Sequence, residues 1–417
     1  MSFKNILKSI VSWFKKVFHI GNNSENVILE KIEYPTPPQF ITLPNNELPI
    51  IASYALYPPF INEENFKNVK ECGFNVVRQS LSESNIDKTL QIISTMGLFM
   101  RINHPDKTNI DKLPVMVKKY KDNPNVWSFE IADEPNASEF EKMKHLMNAY
   151  VKHAPNQNAS INLLPAVSPQ QLGTTDYRKY VSDFVQTVNP PFISYDCYPI
   201  TQKSNGQICV NDVIYDTLEV ISDIARQSKR PISSYILSNK HWSYPKPRIE
   251  FLRYQIFIAL AYGAQVIKYW TYSLPDYDTK DEYTDALIDK NGNKTDVWYM
   301  AQKVNTEAQK LSNIFLGGRV LSVNHTGKNI PSSSKKLNTL PCNFKLIKGT
   351  NDGMVVSQIT NNGNNYVVLV NKSVTEDQKV EIQTTKNLTR IYPDREVEIS
   401  IDYNFILEKG GYAIFKN

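Results

Sequence analysis

From about residue 49 to residue 316 the chain alternates between short apolar runs and longer stretches with helical spacing. The apolar runs predict eight strands: IIASYALYP (50–58), FNVVRQS (74–80), GLFMRINHP (97–105), VWSFEIADEP (126–135), ASINLLP (159–165), FISYDCYPI (192–200), PISSYILS (231–238) and AQVIKYWTY (264–272). Between them, hydrophobic residues recurring every three or four positions predict helices such as 63–72, 86–96, 138–153, 177–188, 213–227 and 249–262, with a last one over 297–315. Eight strand–helix units in this length fit a (β/α)8 TIM barrel over 49–318. A doubly wound open sheet is the other arrangement of such units, but it carries a Gly-rich first turn, and none follows residue 58. After Gly317 and Gly318 the period changes to two. Runs such as GMVVSQIT, NYVVLVNKS and GYAIFKN, separated by Gly, Asn and Asp, predict a small antiparallel β-sandwich over 319–417.

A barrel presents its chemistry at the C-terminal ends of its strands. Those ends are polar and aromatic here: Arg78 on the second strand, Asn103-His104 on the third, Asp133-Glu134 on the fourth, Asp196 and Tyr198 on the sixth, Trp270 and Tyr272 on the eighth. Alternation assigns the faces. On the fourth strand Trp127, Phe129 and Ile131 point to the outer helices, while Ser128, Glu130, Ala132 and Glu134 point inward. Asp133 is thereby placed on the helix side unless a bulge intervenes. Glu130 lies deep on the inward face and needs a partner, because an unpaired buried charge is costly. Arg101 has inward parity and is the expected ion-pair partner, with Lys268 a candidate to join it. Ser194, Asp196 and Tyr198 face in, against Ile193, Tyr195 and Cys197 facing out.

The first 23 residues break the pattern. Phe3, Ile6, Leu7, Ile10, Val11, Phe14, Val17 and Phe18 recur at helical spacing, with Lys4, Lys8, Lys15 and Lys16 opposite. Residues 1–25 therefore read as a basic amphipathic helix, followed by a linker over 26–48. Its readings are a peripheral membrane contact through residues 1–20 or packing on this chain or a partner. It is too short for a membrane span and lacks a signal-peptide cleavage pattern, so placement in the cytoplasm or against a membrane is left open.

Composition narrows the classes. A net charge of +5 is spread along 417 residues without a basic block, so no nucleic-acid footprint is read. Cys72, Cys197, Cys209 and Cys342 form no CxxC pair, which signals neither zinc nor a disulfide scaffold. Asp276, Asp278, Asp281 and Glu282 make an acidic loop whose spacing fits no calcium loop, and no metal or cofactor is expected.

In the order of these rim residues the chain resembles clan A of the glycoside hydrolases, retaining glycosidases built on (β/α)8 barrels and often followed by a β domain. Their fourth strand ends in Asn-Glu-Pro, similar to Asp133-Glu134-Pro135 here, which implies Glu134 as general acid/base. The resemblance also aligns Arg78, His104 and Trp270 with sugar-site residues of the clan, and the segment 286–295 with the stretch after its eighth strand. It implies a carbohydrate substrate. From their places at the strand ends, Tyr57, Asp133, Tyr198 and Tyr272 are further candidate contacts. One departure stands out. The clan carries its nucleophilic Glu at the end of strand seven, where this chain reads ISSYILSN with no acid.

Two readings follow. In the first, Asp196 is the second carboxylate. Strands two apart are separated by roughly 9–10 Å, so inward-leaning side chains can reach the separations of about 5 Å for retention or 6.5–9.5 Å for inversion. In the second, the barrel binds carbohydrate without cleaving it. Individual residues keep plainer alternatives: His104 as a strand cap before Pro105, Arg78 as a structural partner of an acid, Asp196 as a turn residue, and Trp270 as core.

Overall fold

The computed structural model describes residues 32–166, 169–275, 280 and 282–417. The amphipathic segment 1–25 and the acids Asp276, Asp278 and Asp281 lie outside the described residues. Eight parallel strands close into a barrel in chain order: β1 (Ile50–Ser53), β2 (Val76–Ser80), β3 (Phe99–Asn103), β4 (Val126–Asp133), β5 (Asn158–Leu163), β6 (Ile193–Asp196), β7 (Ile232–Leu237) and β8 (Ala264–Trp270). The helices outside it are α1 (Glu63–Glu71), α2 (Glu83–Ile93), α3 (Leu113–Tyr120), α4 (Phe140–His153), α5 (Tyr177–Val188), α6 (Val213–Ser228), α7 (Ile249–Ala261) and α8 (Asp296–Lys310). α3 is outside the patterns read from the sequence, and the last predicted helix divides into α8 and a short turn, Ser312–Phe315.

Local chemistry sets these elements. The Asp176 side chain accepts the Lys179 N–H and caps α5, and Asn189 ends it in the left-handed region at φ 53°. The face carrying Tyr180, Val181, Phe184, Val185 and Val188 is buried. Its position brings the Tyr180 hydroxyl to the Pro135 carbonyl at 2.7 Å, which ties α5 to the end of β4.

The segment after residue 33 is part of the fold rather than a spacer. Trp127 Nε1 and Asn158 Nδ2 both donate to the Ile41 carbonyl, at 2.9 and 2.8 Å. Leu43, with Phe40 beside it, packs on Ile51, Val76, Trp127 and Val266. This small apolar cluster fills the N-terminal end of the barrel.

The C-terminal residues form a six-stranded antiparallel sheet facing a three-stranded one. Period-two alternation divides the larger sheet. Val356, Val367, Leu369 and Phe415 face the smaller sheet, while Val355, Val368, Val370 and Ile414 join the core of the barrel. Phe257 of α7 stacks on Tyr412 at 3.5 Å, and the Ser357 hydroxyl donates to the Ala261 carbonyl at 2.6 Å. Gly410 has φ 61°, and a Cβ there would lie 2.1 Å from the Glu250 carbonyl oxygen, so the approach of the two domains requires glycine at that point.

Strand β4 departs from simple alternation at two places. The register with β3 slips between Met100/Val126 and Arg101/Ser128, and Trp127 turns into the apolar cluster at the barrel's N-terminal end instead of toward the helices. The register with β5 slips between Glu130/Ser160 and Ala132/Ile161. Ile131 is then the extra residue, and both it and Ala132 pack in the helix-side core. After that bulge Asp133 pairs with Asn162, an inward residue of β5. Asp133 therefore faces the barrel mouth, which corrects the strict alternation that put it on the helix side.

Below the mouth the interior is charged. Glu130 takes two hydrogen bonds of 2.7 Å from Arg78, with Lys107 at 2.9 Å and the expected Arg101 partner at 3.3 Å. Burial alone would raise the pKa of Glu130, but the charges of Arg78, Arg101 and Lys107 outweigh it and hold the carboxyl well below its ordinary range. A depressed carboxylate stabilises the fold at pH values above its unfolded pKa. That contribution is lost as pH falls through the lower folded value. Removing one side of a buried ion pair costs about 3–5 kcal/mol. Glu130→Gln is expected to lose that much at pH 7 in urea denaturation, and to flatten the fall of stability on acidification below about pH 4. A loss equal at pH 7 and pH 3 would show that packing, not charge, holds this position.

Candidate active site

The site is built at the C-terminal mouth from the ends of β4, β5, β6 and β8. Beyond Asp133 the backbone turns sharply. Glu134 has φ 48°, a left-handed conformation uncommon for a residue with a Cβ, and its N–H is held by the Asn162 carbonyl at 2.9 Å. Asp133 and Glu134 are both exposed, and Asp196 is half-buried at the end of β6. The Glu134 and Asp196 carboxyls hydrogen-bond each other. Asn162 Nδ2 donates to Asp196 Oδ1 at 2.9 Å. Lys268 and Tyr198 belong to the same electrostatic neighbourhood.

Two neighbouring carboxyls oppose each other's ionisation. For Glu134, burial of its carboxyl against the mouth comes first and the charge of Asp133 second, and both raise its pKa. Asp196 is pushed further up, by burial first and then by Glu134 and Asp133, against the opposing pull of Asn162 and Lys268.

The other expected residues divide into two groups. Trp270 is half-buried at the mouth, edge-on to Tyr54 at 5.1 Å, and the peptide bond after it is cis. Tyr198 sits beside Asp196, with its ring edge-on to Tyr244 at 5.9 Å. Tyr57 is half-buried on the loop after β1, next to Phe60 at 5.7 Å. Arg78 lies lower, bound to Glu130 rather than to Glu134 or Asp133, with its guanidinium over the Tyr54 ring at 5.3 Å. His104 is buried, its Nδ1 accepts the Asp106 N–H at 3.0 Å, and its ring lies toward Tyr120 of α3. Tyr272 is 1% exposed, receives Trp298 Nε1 at 3.2 Å and packs on Phe74. That corrects its reading as a sugar platform: one residue beyond Thr271, it has turned into the helix-side core.

At the end of β7 the expected nucleophile position is filled by buried, bonded polar groups. The Ser238 hydroxyl donates to the Thr271 carbonyl at 2.9 Å, and Asn239 reaches Trp270, Thr271 and His241. Burial lowers the pKa of His241 to about 4. Its ring stacks on Tyr283 at 4.6 Å and approaches Tyr244 at 4.8 Å. Trp242, 73% exposed, extends this aromatic wall, and its Nε1 donates to Glu282 at 3.3 Å. Strand ends alone did not reveal Tyr54 and Trp242. The signal for Trp242 was present as HWSYPKP (241–247), a Trp and a Tyr set among prolines just after the seventh strand. Among the described residues no group of three or more His, Cys, Asp or Glu side chains could hold a metal ion, and no helix is long and apolar enough to cross a membrane.

No protein-family model matches the chain, and no curated protein matches it in sequence. Solved structures do match. A β-galactosidase from Bacillus circulans sp. alkalophilus superposes with a TM-score of 0.61 at 9% identity, covering 89% of this chain and 99% of that one. The fold is that of the glycoside hydrolase barrels. A family 5 glycoside hydrolase from Bacteroides vulgatus gives a TM-score of 0.57 at 11% identity over 92% of this chain and 95% of its own. Against a β-galactosidase from the psychrophilic Marinomonas ef1 the chain spans only 60% of the relative's length, at a TM-score of 0.48 and 11% identity over 63% of this chain.

Within this glycoside hydrolase fold the raised carboxyl pair carries a stability cost of known sign. A carboxyl whose folded pKa lies above its unfolded value binds more protons in the folded state, so stability falls as pH rises past the unfolded pKa. Asp196→Asn removes the ionisation and is expected to raise the melting temperature at pH 7, the difference shrinking toward pH 3. A lower melting temperature at both pH values would contradict the raised pKa.

Proposed function

We propose that the chain is a glycoside hydrolase acting on an oligo- or polysaccharide, with Glu134 as general acid/base and Asp196 as the second carboxylate. The observation that carries this reading is the direct hydrogen bond between an exposed rim carboxyl and a more buried one. Such a pair favours retention of a proton, which is what protonation of a glycosidic oxygen requires. Glu134 is the member a substrate can reach. A bound glycosidic oxygen replaces Asp196 as the partner of Glu134 and so draws the carboxyls apart, toward the separations at which a second carboxylate can take the sugar or activate water. Trp270 and Tyr198 frame the bond to be cut. Trp242 and Tyr244 offer ring faces further out for the remaining sugars.

A second reading is a barrel that binds carbohydrate without cleaving it. It is favoured by β7, whose terminal Ser238 and Asn239 are tied into backbone and side-chain hydrogen bonds and supply no acid.

A panel of aryl glycosides and of plant and microbial glycans separates the two. Hydrolysis by the wild type is expected to fall about 10²–10⁴-fold in Glu134→Gln, the usual contribution of a positioned proton donor. Full activity in that variant would remove Glu134 from the role. Binding of a glycan with no cleavage across the panel would select the second reading. Trp242→Ala is expected to raise KM severalfold with kcat unchanged, the pattern of a lost uniform binding contact. A loss confined to kcat would place Trp242 elsewhere.

A further inference from the structure

We infer that the N-terminal end of the barrel is a contact surface for an anionic membrane. This end lies opposite the carboxyl pair, and the inference is independent of the hydrolytic reading. A cavity of about 340 Å³ opens there between the end of α6, the starts of β7 and β8, and the first strand of the C-terminal domain, Arg319–His325. Phe40, Ala225, Ile232, Leu316 and Val320 give it apolar walls. Basic side chains stand around those walls: Arg226 and Lys229 at the end of α6, Arg230 just before β7, and Arg319.

Acids do not balance these charges. Asp223, one turn back on α6, is shared between Arg226 at 3.1 Å and Arg178 at 2.7 Å. Arg230 is buried and gives its donors to the carbonyls of Pro35, Pro190 and Ser228 and to the Asn189 side chain. An arginine keeps its charge in such surroundings, and every partner here is neutral. Lys229 and Arg319 are exposed, and among the described residues no carboxylate pairs with either. The dipole of α6 accounts for Arg226 in its last turn. Arg319 opens a strand, so no such dipole accounts for it. Helices run back against the strands they follow, so the last turns of α1, α3, α4 and α8 reach this same end. They carry Lys70, Lys118, Lys152 and Lys310, all exposed, against the acids Glu47, Glu71 and Asp122.

Two observations select a membrane over a soluble anion. The first is the apolar cavity next to the cations, because an anionic lipid offers an acyl chain next to a charged headgroup. The second is the route of the chain. Arg230 Nη2 donates to the Pro35 carbonyl at 3.1 Å, and Asn189 Nδ2 donates to the Thr36 carbonyl at 3.2 Å. The chain therefore enters the described fold at this end. Upstream of that entry the sequence of residues 1–25 carries the basic amphipathic pattern, a composition that favours anionic interfaces. With this end on a membrane, the mouth with Glu134, at the other end of the strands, stays open to solvent.

Vesicle co-sedimentation of the full chain tests the contact. The chain is expected to pellet with vesicles of equal parts phosphatidylserine and phosphatidylcholine, not with phosphatidylcholine alone, and to be released by salt, which screens such contacts. Lys229→Gln and Arg319→Gln are each expected to lower the partition about fivefold, the contribution of one basic side chain near an anionic surface. Lys345→Gln, an exposed lysine on the three-stranded sheet away from the barrel, should leave it unchanged. On the vesicles, amide hydrogen exchange should slow in segments 225–232 and 316–320 and stay the same around Glu134. An unchanged partition in the Lys229 and Arg319 variants, an equal loss in Lys345→Gln, or no slowing in those two segments overturns the inference, since residues 1–25 alone or net charge would then explain the binding. Absence of vesicle binding overturns it as well, including where inorganic phosphate, a nucleic acid or a second copy of the chain is bound instead. If either variant fails to fold, hydrogen exchange on the wild type still decides whether this end meets the membrane.

Discussion

The barrel is organised around one buried carboxylate. Glu130 sits where the strands are most closely surrounded by protein, and an isolated charge there would be prohibitively costly. It is tolerated because Arg78, Arg101 and Lys107 converge on it from β2, β3 and the loop after β3. That convergence fixes three cationic side chains. It also leaves Arg78 under the aromatic Tyr54 instead of at the substrate level. Asp133, Glu134 and Asp196 stand above that pair, and for Asp196 the opposing pull of Asn162 and Lys268 does not outweigh burial and the neighbouring acids. At the mouth, the neighbouring acids oppose ionisation of Glu134 and Asp196.

The bulge at Ile131 connects this floor to the site. With one extra residue on β4, Glu130 and Asp133 both point inward, although their spacing of three would separate them on a regular strand. The strand's last residue then adds to the carboxyl cluster, and Glu134 is carried beyond the ladder in a left-handed turn. The Tyr180 hydroxyl on the Pro135 carbonyl and the Asn162 carbonyl on the Glu134 N–H hold that turn from two sides. A strained backbone so closely held is common where side chains must be aimed.

Much of this was legible in the chain. Strand and helix periods gave the barrel and the sandwich, because burial on one face leaves a direct record in which residues repeat. Parity also placed Ser194, Asp196 and Tyr198 inside and found the Glu130–Arg101 pair, since β6 and the middle of β3 are regular. It failed at Trp127 and Asp133, where bulges shift the count by one, and the reading of rim aromatics as sugar platforms failed at Tyr272, which lies past the end of its strand. A bulge is a choice made between two neighbouring strands, and nothing in either strand alone announces it.

The sequence by itself determined the order of strands, the polarity of their ends and the absence of an acid at the close of β7. These are properties of composition and period, readable one residue at a time. Tertiary structure alone decided that Glu134 and Asp196 touch, that Asn162 and Lys268 stand behind them, and that Arg78 serves the floor. Each of these depends on the register between strands and on how far side chains lean across the barrel. Such distances of a few ångströms are set by packing all eight strands at once.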